Sequence, residues 1–242
     1  MFRFSSFLLL SAMTMSAQGS GQQFPSANEI VAKMIERDNQ RQAALHGYTA
    51  ARRYILENSR HHKRAEMLVM VRCLGDGSKE FQTISAAGWG TARHHIFPKL
   101  LESESEASRP EIRDRSRIIP ENYWFEMVGR DSVNGHPTYV IAIAPKTPNK
   151  YLVEVRIWVD ADEYAIVRID GKAAKSPSFW IKSIQFVHTY QKSELFWFPV
   201  CDRSVTDARI LGPTKVSIEY FDYSTKVATL SASGEPARGS LP

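Results

Sequence analysis

The sequence predicts a mainly β domain with helices (α+β): a curved antiparallel sheet of about ten to eleven strands, covered by helical segments. Three observations predict it. From Tyr48 onward, apolar residues recur at every second position in a series of short segments separated by turn residues. The rows so formed are one-sided, one face dry and the other mixed. Two helical stretches, one N-terminal and one interrupting the strands, are available to cover the dry face, the coarse picture of a covered half-barrel.

The elements follow in order. "PSANEIVAKMIERDNQRQAALHG" reads as a helix capped by Ser26 or Asn28, with Glu29 in its first turn and Ile30, Val31, Met34 and Ile35 as its apolar stripe. Gly47 ends that periodicity. "YTAARRYILEN" and "RAEMLVMVRCLG" are strands around the polar loop "SRHHK", and "GDG" turns the chain into a third, "SKEFQTISAAG". Short connections make this an antiparallel meander. Residues 88–121 break the rhythm as a helical, lid-like insertion, with Pro98 and Pro110 preventing one continuous helix. An insertion of that length is uncommon in a compact β domain unless it covers or binds something.

The strands then resume with "NYWFEMVGRDSV" and "HPTYVIAIAPK", joined by an Asn134-Gly135 hairpin signal. "YLVEVRIWVDADEYAIVRIDG" is a second hairpin. Tyr151, Val153, Val155, Ile157 and Val159 point one way; Leu152, Glu154, Arg156 and Trp158 point the other, joined by Tyr164 and Arg168. Further dry rows are Met67, Val69, Val71 and Cys73; Phe125 and Met127; Val140, Ala142 and Ala144; Ala165, Val167 and Ile169. "SFWIKSIQFVHTYQK", "LFWFPVCDRSVTD" and "TKVSIEYFDYS" complete the strands.

The ends and the composition set the class. "MFRFSSFLLLSAMTMSAQG", residues 1–19, reads as a secretory signal peptide: Arg3, then an apolar run, then small residues for cleavage. Residues 20–26 are a linker, 27–230 one domain, and 231–242 a Gly, Ser and Pro-rich tail expected to be disordered. The mature chain is thus expected to be soluble, exported to the periplasm and monomeric. The 242 residues, 43% apolar and 24% charged, suit one folded β-rich domain. A formal charge of +5 is too mild for a nucleic-acid footprint. Cys73 and Cys201 are either a disulfide, which export permits, or two separate buried thiols.

The residue types offer little catalysis. His61-His62 and His94-His95 are adjacent pairs, which on a strand or a helix diverge instead of converging on a metal. "GRDSVNG" lacks the flanks of a nucleophile elbow. Asp160 and Asp162 lie where aspartates make turns. The basic "SRHHKR" loop reads as a solvated hairpin tip, or as a contact for anionic headgroups or an acidic partner. No enzyme activity, metal or cofactor is expected; a secreted hydrolase would need a nucleophile, base and orienting group from distant positions.

The segment "DSVNGHPTYVIAIAPKTPNKYLVEVRIWVDADEYAIVRIDG" resembles the bacterial outer-membrane lipoprotein-sorting protein family, the LolA-like superfamily. The matching positions are Gly135, Tyr139, Pro145, Lys146, Trp158, Val159 and Asp160. The signal peptide and the capped helix before "GYTA" fit the same layout, so the resemblance spans residues 27–224. It implies an unclosed antiparallel β-barrel whose helices form a lid over a hydrophobic concavity that shields acyl chains of lipids or lipoproteins. The implied partners are those chains and an inner- or outer-membrane protein. An arginine inside the cavity holds the lid in the lipoprotein carrier, and Arg52 or Arg53 is placed for that part.

An apolar row serves a filled core as well as a cavity wall, and the resemblance favours the wall. The expected cavity residues are Met67, Val69, Phe97, Leu100, Leu101, Phe125, Met127, Val153, Val155, Ile157, Val167 and Ile169. The leading expectation is a lipid or lipoprotein carrier or binder. The alternative is an envelope stress-sensor or protein-interaction module of the same fold, without transported cargo.

Overall fold

The computed structural model describes residues 25–149, 152–175, 181–209 and 212–227. The signal-peptide segment, Tyr151 and the tail from residue 231 lie outside the described residues.

Helix α1 (Ala27–Ala44) begins with a complete capping box: the Ser26 hydroxyl accepts from the Glu29 backbone N–H, and the Glu29 carboxylate accepts from the Ser26 N–H. Its stripe buries Ala27, Ile30, Val31 and Met34. Strands β1 (Leu45–Asn58), β2 (Lys63–Cys73) and β3 (Lys79–Gly88) follow as one meander. The chain then makes a turn of π-helix (Ala92–Ile96) that runs directly into α2 (Phe97–Ser108), and α3 (Pro110–Ser116) follows. Pro98 lies in the first turn of α2, directly after the π-turn, and does not interrupt the helical run. The break falls at Pro110 instead, which opens α3. The second meander is β4 (Tyr123–Val133), β5 (His136–Pro145), β6 (Val153–Asp160), β7 (Ile166–Ala173), β8 (Ile181–Ser193), β9 (Phe196–Ala208) and β10 (Gly212–Val227).

The ten strands form one sheet in the order β3-β2-β1-β10-β9-β8-β7-β6-β5-β4, with every described pairing antiparallel. The two meanders are therefore joined through β1 and β10, and the sheet is unclosed, with β3 and β4 at its edges. That order gives the 88–121 insertion its topological task. It carries the chain from one edge of the sheet to the other.

Bulges supply the curvature. Register shifts occur in β1, β3, β4, β7, β8, β9 and β10, and each adds local bend and twist. They also account for two exposed apolar side chains: Ile84 and Val128 are the residues left over at the shifts in β3 and β4. Gly47, at φ +125°, sits at one of these irregularities. A Cβ there would lie 2.6 Å from the Cys73 carbonyl oxygen, so only glycine lets β1 pass this close to the end of β2.

Four details of the expected rows change. In β7 the bulge at Val167 breaks the expected row of Ala165, Val167 and Ile169, so that Ile166 and Ile169 face Val159 and Ile157 of the core row. In β5 the core row is Tyr139, Ile141 and Ile143, while Val140, Ala142 and Ala144 face the other side and Ala144 is exposed. Both rows of "YVIAIA" are apolar; the bulkier one packs because Ile141 faces Ile157 and Ile143 faces Val155 across the strand pair. Leu152 is buried in the core, because it precedes β6 and escapes the alternation. Tyr164, in the β6–β7 turn at φ 53°, packs on the helix side, with its ring 6.4 Å from that of Tyr139. The turn itself is aspartate chemistry: Asp160 Oδ1 accepts from the N–H groups of Asp162 and Glu163 at 3.0 and 2.8 Å.

Candidate functional site

The helix-bearing face holds two separate packed clusters. The first lies under α1, where Ile30, Val31 and Met34 meet Tyr123, Tyr139, Ile141, Ile143, Val155, Ile157 and Val159. The second lies under the π-turn and α2, where Ala92 and Phe97 meet Tyr54, Leu56, Ala65, Met67, Val69 and Val71. The sequence-predicted cavity residues divide between them. Val155 and Ile157 are buried in the first, with Phe125, Met127, Val153 and Ile169 packed against it. Met67, Val69 and Phe97 are buried in the second, with Leu100 and Leu101 packed against it. Val167 is buried on β7, as the residue left over at the β6–β7 register shift.

Between the clusters the face is not filled. A hollow of about 690 Å³ opens there, within the ~300–1,000 Å³ that holds small-molecule ligands. Its apolar lining includes Met34 and Ile35 of α1, Leu45 and Tyr48 of β1, Ile118 and Ile119 after α3, and Phe196 and Phe198 of β9. None of the sequence-predicted cavity residues is among its lining. Its aromatic part is a packed group: Phe198 stacks on Tyr223 at 4.5 Å and meets Tyr48 edge-on at 5.2 Å. Burial pushes the Tyr48 phenol up to about 12, so it stays protonated and neutral.

The rim of the hollow is charged. Arg41, Arg113, Arg117 and Lys79 border it against Asp38 and Asp114. Arg41 is positioned by carbonyls of the β6–β7 turn, donating to Glu163 and Tyr164 oxygens at 3.2 and 3.4 Å. Arg113 donates to the Asp76 carbonyl at 2.6 Å, which ties α3 to the β2–β3 turn. Arg117 reaches Asn39 of α1 at 3.4 Å. Elements distant in sequence thus converge on one opening, which is why no single motif announces it.

Arg52 and Arg53 take opposite faces. Arg53 is half exposed, pairing with Glu66 and Glu219 at 3.3 and 3.2 Å on the far side of the sheet. Arg52 is 1% exposed on the helix side and pairs with Glu104 of α2 at 2.5 Å. Glu104 also accepts from Lys79 Nζ at 3.0 Å and from the Tyr54 hydroxyl at 3.2 Å. The guanidinium lies over the rings of Tyr220 and Phe81, at 4.6 and 5.7 Å. Sequence reasoning had a signal for the choice: Arg52 shares its row with Tyr54 and Leu56, and its register partner is Val69.

Burial alone would raise the Glu104 carboxyl, but Lys79 and Arg52 outweigh it and hold it at about 2. Its folded value is therefore depressed below the ordinary 4.5. The resulting stability is complete above the unfolded value and lost as pH falls through the folded one. It amounts to on the order of 3 kcal/mol. Glu104→Gln is expected to flatten the acid limb of the stability curve between pH 4.5 and 2. Urea unfolding at a series of pH values checks it: an unchanged acid slope would show that other carboxylates set that limb.

Among the described residues, no group of three or more His, Cys, Asp or Glu side chains is placed to hold a metal ion. Cys73 and Cys201 are both free thiols, Cys73 at the border of the hollow. Burial pushes both thiols up, away from the reactive thiolate. No helix among the described residues is long and apolar enough to cross a membrane.

The family model of the MucB/RseB N-terminal domain matches residues 59–189. No curated protein matches the chain. Among solved structures, the chain is similar to an outer membrane lipoprotein-sorting protein domain from Vibrio parahaemolyticus, at 15% identity and TM-score 0.46, covering 86% of this chain and 94% of that one. A LolA superfamily protein from Nitrosomonas europaea is 9% identical at TM-score 0.39, covering 85% of this chain and 96% of that one. The MucA/MucB complex of Pseudomonas aeruginosa gives 11% identity and TM-score 0.28, covering 84% of this chain and 99% of the other.

Proposed function

The chain belongs to the MucB/RseB N-terminal domain family, and from that premise we propose that it is an exported periplasmic protein that binds one acyl-bearing, anionic amphiphile, a lipid or the lipid moiety of a lipoprotein. The observation that carries this reading is the hollow between the two packed clusters, with an aromatic and aliphatic lining and an arginine-bearing rim. Acyl methylenes in the hollow gain about 0.8 kcal/mol each on leaving water. An anionic headgroup at the mouth meets Arg41, Arg113 and Arg117. Because helices fill the face on both sides, the reading is a binder of limited capacity, with the chain entering between α1 and α3.

Native mass spectrometry of protein purified from an envelope fraction, paired with titration of dansyl-labelled undecanoic acid, tests it. A bound lipid mass and saturable probe binding are expected, with the probe weakened by Ile119→Trp, which fills the hollow, and by Arg117→Glu at the rim. A clean apo mass together with no probe binding would sink the reading.

A second reading, a module that engages a protein partner, is supported by edge strand β3. Residues 82–88 are exposed, and among the described residues no strand pairs with the outer edge of β3. At its first residue α2 supplies the partners: Ser108 accepts from the Lys79 N–H and Ser105 donates to the Lys79 carbonyl. An extended segment of a partner fits such an edge by backbone pairing. Ser85→Pro is expected to abolish capture of that partner without affecting the amphiphile probe; capture insensitive to it would reject the edge.

A further inference from the structure

The face of the sheet opposite the helices carries a second depression, a trough of about 590 Å³ over β4 to β8. Side-chain size creates it. The outward row of β5 offers only Ala142 and Ala144 as a floor, while the flanking strands raise walls: Trp124 and Glu126 on β4, Glu154, Arg156 and Trp158 on β6. The registers place Trp124 opposite Ala144, and Glu126 opposite Ala142, which in turn faces Arg156.

The walls carry unused hydrogen-bonding groups. Glu126 and Arg156 are two strand spacings apart, ~10 Å across the alanine floor, and do not pair with each other. Glu126, Arg156 and Gln185 make no side-chain hydrogen bond or ion pair among the described residues. Their neighbours are neutralised: Glu154 pairs with Lys172 at 3.3 Å, and Asp170 with Arg168 at 2.7 Å. Trp124 is 66% exposed, with Lys146 Nζ 4.4 Å over its ring. Trp158 is fixed by donating to Asp131 at 2.9 Å and by Arg168 over its ring at 5.0 Å.

We propose that this trough binds a neutral oligosaccharide. A pyranose presents a flat C–H face and a rim of hydroxyls, and the trough presents the complement. Its indoles offer apolar planes, its alanine floor lets a ring lie flat, and Glu126, Arg156 and Gln185 offer a carboxylate, a guanidinium fork and an amide to vicinal hydroxyls. The charges balance, with Glu126, Glu154, Asp170 and Asp131 set against Arg156, Lys172, Lys146 and Arg168. That balance gives no field to draw in an anionic polymer. The shallow floor holds no deep apolar pocket of the kind that anchors a protein partner. The site is on the other face from the hollow and stands independently of it.

Isothermal titration calorimetry of the full chain with chitotriose, maltotriose and a heparin hexasaccharide tests the proposal. At least one of the two neutral trisaccharides is expected to bind. Trp124→Ala is expected to weaken it by about tenfold or more, and Ala142→Leu, which fills the floor, to abolish it. Both variants lie on the outward face and should leave the melting temperature and the undecanoate titration unchanged. The proposal is overturned if neither neutral trisaccharide binds, if only the heparin fragment binds, or if binding survives both substitutions.

Discussion

Replacing Arg52 with alanine is expected to lower the unfolding free energy by about 3–5 kcal/mol, the range for removing one partner of a buried ion pair. The loss has two parts. Glu104 keeps Lys79 but loses the 2.5 Å guanidinium contact that helps hold its carboxyl at about 2. The rings of Tyr220 and Phe81 lose the cation packed over them. Because Arg52 is on β1 and Glu104 on α2, the damage should concentrate where that helix meets the sheet. Hydrogen exchange is expected to rise in α2 before α1. The double variant Arg52→Met with Glu104→Leu should recover most of the stability, since an apolar pair of similar size carries no desolvation cost. A double variant as unstable as Arg52→Ala would mean that the ion pair itself stabilises the fold, and that an unpaired buried carboxylate does not explain the loss.

Phe97→Ala is expected to cost about 3–5 kcal/mol, the range for deleting a large buried aromatic. Phe97 is 1% exposed at the start of α2 and is the bulkiest side chain that the insertion buries in its cluster with β1 and β2. The clusters under α1 and α2 are built from different strands, so the two helices should respond separately. Phe97→Ala should open the 88–121 region while leaving protection in α1 near its original level. Combined with Arg52→Ala it should be non-additive, because both act on the seating of α2. Equal loss of protection in α1 and α2 would contradict two separable clusters.

The strands were legible because their turns are chemically explicit. Asn134-Gly135 forms the expected tight turn, with both residues at positive φ. The alternation of Val155, Ile157 and Val159 needs only one buried face to be read. The family resemblance rests on residues 131–171, which fall inside the matched span 59–189. The order of the strands was less legible. Adjacency predicts each meander but not the β1–β10 pairing that joins them, which runs from Asn58 with Thr214 to Leu45 with Val227, residues 156 to 182 positions apart.

The hollow was the least legible feature, and the reason is geometric. It is lined by the end of α1, the start of β1, the β2–β3 turn, the segment after α3 and the β8–β9 hairpin, no two of which share a periodic pattern. Apolar rows such as Met67 to Val71 mark where helices dock, because regular strands and regular helices fill one another's grooves. A space is left along the last turns of α1, where α2 does not reach. In β5 the same limit appears on a smaller scale: with both rows apolar, only cross-strand partners decide which one is buried.

The central claim, that the hollow accepts an acyl chain, is tested most directly by photo-crosslinking a diazirine-bearing fatty acid to the full chain and mapping the modified peptides. Labelling is expected at Tyr48, Ile118, Ile119 and the Phe196–Phe198 segment, and competition by unlabelled fatty acid should remove it. Labelling confined to the outward face around Trp124, or none that competes, would contradict the claim.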